Sequence, residues 1–598
     1  MASLEKTMRK MNPEQLQAVV SENDRVLVIA GAGSGKTSVL TTRIAYWQKI
    51  RRVGTSSMLA LTFTRLAALE MKERVAKLLG ESMAKKLTAG TFHSFCVKVL
   101  HSHGQKVGLQ RGFSVYDQDD TKAILEKIIA DLRLQSIKAS SFNPWEPGNS
   151  REQQMASQEY KFRLRRSNAV DLDGLLCKTI ELLEKHPDVA ESLRNRFQQV
   201  YLDEYQDTDD RQERILQLIN PMKLFIVGDP SQAIYSWRGA RIENILTFEE
   251  RNPECEVIRL ERNYRSTQPI LDMANRVIEQ AAIKSPLKLW TDKEGPSPVR
   301  NEAQDETDEL GRIAQAVKNL IGQGESPENI AVLCRTNGMV SLANEELRRA
   351  GLETFVFSPK DDPLNDFTAR RLMDFMALAI NDKDERAFLR VLNWPTERIS
   401  PGDMARIEKE ALLQGEDPKR VLMSKSGLVQ MVQKAVEQDR ECWTDALAMF
   451  KFMAAFTGIR QQFTEADLSN RLADLEDAER KIASWVRRQN EMGEGVDVQS
   501  FLRWIRTRDI QDRLVQETPE AVQILTVHGA KGLEWPVVFV PGCNAKVFPT
   551  SKGDIEEERR LFYVAVTRAK ESLTVLWART RADWSGNPKA ALKSPFLD

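Results

Sequence analysis

The chain has no pair of cysteines at metal-ligating or redox spacing. Its six, Cys96, Cys177, Cys255, Cys334, Cys442 and Cys543, are scattered over 598 residues. That argues against a disulfide framework, a structural zinc site or an iron–sulfur cluster, and leaves them as small buried apolar residues. No apolar run nears the roughly 18 residues a membrane-spanning helix needs, and Met1-Ala-Ser-Leu-Glu-Lys6 has no signal-peptide core. The expected setting is cytoplasmic, with no membrane partner. Charge of one sign is not in excess either: Lys plus Arg and Asp plus Glu number 86 each. A nucleic-acid surface must then be a local channel, not a whole-protein field. The length is too great for one core and implies about three to five domains or subdomains.

What is present begins with Val26-Leu-Val-Ile-Ala-Gly-Ala-Gly-Ser-Gly-Lys-Thr37. A run of β-formers enters a glycine-rich turn, and an apolar-spaced helix follows: strand, phosphate loop, helix. Gly31, Ala32, Gly33, Ser34 and Gly35 let the backbone wrap a triphosphate while loop N–H groups and the helix N-terminus face the anion. Lys36 is expected to reach the β- and γ-phosphates and Thr37 to hold Mg²⁺. Ser38 and Arg43 complete the expected nucleotide-binding set. The strict pattern opens on Gly, and here Ala30 stands there. Farther on, Gln199-Val-Tyr-Leu202 reads as a strand ending in two acids, Asp203 and Glu204. Asp203 is assigned to the Mg²⁺ shell and Glu204 to polarising the attacking water as general base.

The rest of the chain supplies candidate strand contacts. Asn12-Pro-Glu-Gln15 reads as a helix start, and Gln15 could pair with an adenine edge, a surface helix position being the alternative. Aromatics beside hydroxyl residues at strand ends, Phe63-Thr64 and Phe92-His-Ser-Phe95, suit a nucleic-acid strand, with core packing as the competing reading for Phe63, Phe92 and Phe95. Pro230-Ser-Gln-Ala-Ile-Tyr-Ser-Trp-Arg-Gly239 puts Gln232, Tyr235, Trp237 and Arg238 within seven positions. Gln232 could sense the γ-phosphate while Tyr235 and Trp237 offer stacking faces. Residues 97–167 and about 369–514 read as helical and polar, and residues 168–176 as the start of a return helix.

Taken together these stretches resemble the Rep/PcrA-like branch of superfamily 1 DNA helicases, the UvrD/Rep/PcrA group, over nearly the whole chain. The most specific segments are Gly228-Asp-Pro-Ser-Gln-Ala-Ile-Tyr-Ser-Trp-Arg-Gly-Ala240 and Leu561-Phe-Tyr-Val-Ala-Val-Thr-Arg-Ala569. The resemblance implies an α/β fold of two RecA-like parallel-sheet motor domains, each with an inserted, mainly helical subdomain. The implied boundaries are 1–96 with 168–258, an insertion over 97–167, 259–375 with 515–598, and an insertion over 376–514. It implies ATP-driven 3′ to 5′ movement on single-stranded DNA and separation of 3′-tailed duplexes by a monomer or weak oligomer. The alternative is a translocase subunit of a larger repair or anti-phage defence complex that unwinds weakly alone. By this resemblance Gln15 reads adenine, Tyr264 stacks on it, Glu534 meets the ribose, and Arg265 and Arg568 are arginine fingers. Phe63, Thr64, His93, Tyr235, Trp237, Arg238, Arg335, Asn337 and His528 are implied on the DNA path. This chain departs from the family pattern at Arg65-Leu66, at Leu172-Asp-Gly174 and at Ser358-Pro-Lys-Asp-Asp-Pro363. With only a short run beyond Arg568, no nuclease domain is expected.

Overall fold

The structure is a computed structural model that describes residues 2–597 except 284, 357–361, 396–398, 439–442, 464–467, 508–519 and 583–586. The departure at residues 358–361 therefore lies outside the described residues. Two compact units are present: Met1–Thr91, Arg194–Ser358 and Ile510–Asp598 form one, and Phe92–Leu193 with Pro359–Asp509 form the other.

The first unit carries two six-stranded sheets, parallel throughout. In the first the spatial order is Thr88–Thr91, Met58–Thr62, Gln199–Leu202, Lys223–Gly228, Arg25–Ala30, Glu256–Leu260. In the second it is Thr354–Val356, Val522–Thr526, Ile330–Cys334, Trp535–Val540, Ala569–Ala578, Val299–Ala303. Helices cover both faces, so the central strands are continuous apolar runs without polar alternation. The period of two then sorts their side chains. Ala331, Leu333, Val538 and Val540 join one core of the second sheet, while Ile330, Val332, Val537 and Phe539 join the other. Parallel strands place their carboxyl ends at one edge, which is where ligand-binding loops collect in such sheets.

The second unit is mainly helical and wider than the expected insertions, since it also takes in the helices Leu172–Lys185 and Phe367–Ile380. Its larger core gathers Leu372, Phe375, Phe388, Phe450, Trp485 and Phe501. Two expectations need correction here. The stretch 97–167, read as helical and polar, contains a strand, Ser114–Tyr116, paired in parallel with Ala169–Asp171. The return helix consequently starts at Leu172, with Asp171 as its cap accepting from the Gly174 N–H at 2.8 Å. Glycine at 174 has a packing reason: a Cβ there would stand 2.5 Å from Asp171 Oδ1 and 2.5 Å from the Trp145 ring. Three of the cysteines are buried, but Cys177 and Cys255 are only half-buried, and Cys442 lies outside the described residues. No helix among the described residues is long and apolar enough to cross a membrane.

Candidate nucleotide and nucleic-acid site

The strand Arg25–Ala30 delivers the phosphate loop to the carboxyl edge of the first sheet, and the helix Lys36–Lys49 leaves it. Ala30 is still a strand residue, paired with Leu260 and fully buried. It needs no left-handed backbone, which is why Ala serves where the strict pattern has Gly. Gly33 and Gly35 do need one: their φ values are +67° and +89°, and a Cβ on Gly33 would lie 2.6 Å from Asn263 Nδ2.

Lys36, Thr37, Ser38, Asp203, Glu204 and Gln232 line one cleft of about 350 Å³, together with Tyr264 and Arg265, which follow the first-sheet strand Glu256–Leu260, and Glu534 and Arg568 from segments of the second sheet. The Lys36 ammonium is buried without a hydrogen-bond partner and stands 3.8 Å from Glu204 Oε2. Glu204 sits at φ +54°, a left-handed backbone uncommon for a non-glycine residue. Its Oε2 accepts from Gln206 Nε2 at 2.5 Å. Burial pushes the Asp203 carboxyl up to about 7, and the Glu204 charge beside it adds to the rise. Burial also disfavours charge on Glu204, but Lys36, Lys531 and Arg568 outweigh it and hold that carboxyl well below the usual range. The two neighbours thus differ, with Glu204 ionised and Asp203 readily protonated.

Arg568 is almost fully buried, and its guanidinium is held by oxygens that carry no formal charge. It donates to the Val564 and Leu533 carbonyls at 3.0 and 3.1 Å and to Gln232 Oε1 at 3.4 Å. Burial and the nearby Arg265 cation push it down to about 9. Arg265 donates to Glu534 Oε2 at 2.6 Å, and Glu534 also pairs with Lys570 at 2.9 Å. An ammonium without a hydrogen-bond partner and a guanidinium without a carboxylate, facing one cleft beside a helix N-terminus, fit a polyphosphate anion. Thr37 and Asp203 on the same cleft are oxygen donors that would hold Mg²⁺.

A second cluster lies a few residues along the Pro230–Gly239 segment. Phe63 stacks on Tyr235 with centroids 4.8 Å apart, and Trp237 and His528 pack edge to face at 6.3 Å. The Arg238 guanidinium lies 4.8 Å from the Trp237 ring centroid. Trp237 is 63% exposed and Tyr235 only 4%. Tyr235 was expected to offer an open stacking face, but Phe63 covers one side and the Lys531 ammonium lies 4.9 Å from its centroid. It backs the cluster, and Trp237 is the ring presented outward. Burial and the Arg335 cation lower His528 to about 4, so its imidazole is neutral near pH 7. Arg335 itself is paired with Glu558 at 2.9 and 2.5 Å.

Two family models match this chain: the UvrD/REP helicase N-terminal domain over residues 11–253 and the UvrD-like helicase C-terminal domain over residues 258–580. An "ATP-dependent DNA helicase PcrA" of Staphylococcus epidermidis is 32% identical, covering 99% of this chain and 86% of that protein. One of the same name from Staphylococcus aureus (strain MRSA252) is 31% identical over the same shares. The chain is a UvrD-like helicase.

Within this UvrD-like helicase some expected site residues lie elsewhere. Arg43 is 2% exposed and away from the cleft. It donates to the Ala18 and Val19 carbonyls at 2.7 and 3.2 Å and its guanidinium sits over Phe225, so it ties a neighbouring helix to the sheet and does not line the nucleotide site. Thr64 caps the helix Arg65–Leu79 by accepting from the Ala67 N–H at 3.1 Å, and it faces the nucleotide cleft. Phe92 and Phe95 are core residues of the second unit, where His93 also sits. Asn337 is exposed at the start of the helix Asn337–Arg349. One residue was missed. Lys531 donates to Asp207 Oδ2 at 2.5 Å and to the Gln232 carbonyl at 2.8 Å, and all three residues line the nucleotide cleft. Its signal in the sequence is a lone lysine inside Val527-His-Gly-Ala-Lys-Gly-Leu-Glu-Trp535.

Proposed function

We propose that this chain is an ATP-dependent DNA helicase that moves 3′ to 5′ on single-stranded DNA and separates 3′-tailed duplexes. The observation that carries the reading is the Pro230–Gly239 segment: Gln232 lines the nucleotide cleft and touches Arg568, while Trp237, five positions on, is 63% exposed. A change at the cleft and a change at the stacking ring are then motions of one short element. Lys36 supplies the fixed positive charge for the phosphates, and Arg265 and Arg568 answer the charge that develops as the terminal phosphate leaves. Glu204, kept ionised by its cationic neighbours, is the group to orient and deprotonate the attacking water. Thr37 and Asp203 would hold Mg²⁺, which neutralises phosphate charge when bound. Phe63, Tyr235, Trp237, Arg238 and His528 form the strand-facing cluster. Lys36 follows a strand of the first sheet and Arg568 adjoins Ala569–Ala578 of the second, so hydrolysis can alternate closing and opening of the cleft. The direction and the role in DNA repair, replication or recombination follow the resemblance to the PcrA branch.

The deciding experiment compares 3′-tailed, 5′-tailed and blunt duplexes with ATP and Mg²⁺, wild type against Lys36→Ala. Unwinding of the 3′-tailed substrate alone, abolished by the substitution, is expected. Equal activity on the 5′-tailed duplex, or activity surviving in Lys36→Ala, overturns the proposal.

A further inference from the structure

The stretch Pro286-Leu-Lys-Leu-Trp-Thr-Asp-Lys293 lies outside both sheets, yet it runs beside the residues that face the nucleotide cleft. Its side chains alternate as in an extended strand, with Leu287 and Leu289 buried and Lys288 and Trp290 exposed. Leu289 shares a core with Ala32 of the phosphate loop, and its end fills the space that a side chain on Gly31 would need. Asn275, on the helix Gln268–Glu279, holds it there: Nδ2 donates to the Leu289 carbonyl at 2.8 Å, and Oδ1 accepts from the Leu289 N–H at 3.0 Å. The Asn263 N–H then donates to the Trp290 carbonyl at 2.8 Å, so this stretch is docked on residues 261–263 by its main chain.

Lys293 ends the stretch. Its Nζ donates to the Tyr264 carbonyl at 2.6 Å and to the Arg265 carbonyl at 3.3 Å. These carbonyls belong to the two peptide groups on either side of the Arg265 Cα. The N–H groups of the same two peptides are those of Arg265 and Ser266, and both donate to Asn263 Oδ1, at 2.7 and 2.8 Å. Each planar peptide is thus gripped at both ends, by one buried acceptor and one ammonium. A residue has only two soft backbone dihedrals, and they set the angle between its flanking peptides. Gripping both planes fixes the direction in which the Arg265 side chain leaves the backbone. The grip is referred to the phosphate loop, because Asn263 Nδ2 donates to the Ala32 carbonyl at 2.6 Å and the Tyr264 N–H to the Gly33 carbonyl at 2.9 Å.

We propose that Lys293 is a positioning residue for Arg265, holding with Asn263 the two peptide groups that aim this guanidinium into the nucleotide cleft. The proposal rests on the reading of Arg265 given above and adds the residue that orients it from outside its own segment.

Steady-state ATP hydrolysis by the full chain with Mg²⁺ and single-stranded DNA tests it. Lys293 is exposed, so Lys293→Met leaves no cavity and the melting temperature should stay near wild type. Its kcat should fall by about tenfold or more, as misplacement of a group that answers transition-state charge demands. KM should stay within about twofold, because the interaction lost is one made chiefly in the transition state. Lys293→Arg can still donate to both carbonyls and should restore most of the rate. In an Arg265→Ala background, Lys293→Met should cost nothing further, since there is no guanidinium left to aim. A wild-type kcat in Lys293→Met overturns the proposal, and so does an undiminished loss in the Arg265→Ala background. Wild-type hydrolysis by Arg265→Ala alone would instead overturn the reading of Arg265, so the two failures are told apart.

Discussion

Arg568 Nη2 and Gln232 Oε1 face each other at 3.4 Å across the nucleotide cleft, one from the end of the helix Ile555–Val566 and the other from the loop after the strand Lys223–Gly228. The bond is long, and neither partner brings a negative charge. A guanidinium so placed is free to strengthen its contact when anionic charge grows beside it. Arg568→Ala should therefore lower kcat for DNA-stimulated hydrolysis by roughly 10³-fold or more, with a much smaller change in KM. Single-turnover hydrolysis beside nucleotide-binding measurements separates the two.

Trp237→Ala should act on the other side of the same loop. With the ring 63% exposed, its loss leaves no cavity, and the melting temperature should stay near wild type. Affinity for single-stranded DNA should fall by about 1–3 kcal/mol, the usual worth of one stacked base. Fluorescence anisotropy with a labelled oligonucleotide reads that change, and hydrolysis without DNA should not move.

His528 makes a pH prediction whose sign is set by its lowered value. Its imidazole titrates near 4 in the fold and near 6.5 in a free chain, so below 6.5 the unfolded state takes up the extra proton. The residue's contribution to stability is intact above about pH 6.5 and shrinks as pH falls toward 4, by up to about 3 kcal/mol in the limit. Asp203 and Asp207 shift upward and act in the opposite sense over part of that range. The quantity to measure is therefore the wild-type minus His528→Gln difference in unfolding free energy at pH 7, 6 and 5, which should decline stepwise.

Gly174→Ala tests the second unit alone. The added methyl meets Trp145 and Asp171 at 2.5 Å each, and Asp171 also accepts from Trp145 Nε1 at 2.7 Å and from the Tyr160 hydroxyl at 2.7 Å. Overpacking of this kind costs about 1–3 kcal/mol. Thermal unfolding should start several degrees lower, while nucleotide binding, whose residues lie in the other unit, should be little changed.

Lys36 and Thr37 were legible from the glycine-rich turn between a strand and a helix, and Asp203 and Glu204 from the end of a buried parallel strand, both local signals. Gln232 and Arg568 were legible through the specificity of their segments. Arg43 was misplaced for a physical reason: one turn or two past the phosphate loop, a helical arginine can point to either side, and only the third dimension brings Phe225 and the Ala18 carbonyl beneath it. Tyr235 and Trp237, two positions apart, look equivalent as sequence. Burial separates them, because Phe63 arrives from a distant strand. The pair Ser114–Tyr116 and Ala169–Asp171 is too short for periodicity to register, and its partner segments are separated by two helices.

The strand that presents the phosphate loop, Arg25–Ala30, is flanked in its sheet by Lys223–Gly228 and Glu256–Leu260. During synthesis it emerges long before either neighbour exists. At about 5–20 residues per second the wait is on the order of ten to forty seconds. Through that interval Val26-Leu-Val-Ile29 is an unpaired apolar segment with both edges open, the kind that holding chaperones recognise and that seeds aggregation when they are scarce. Overproduction of this protein should consequently be limited by rescue at the ribosome before it is limited by the stability of the finished motor.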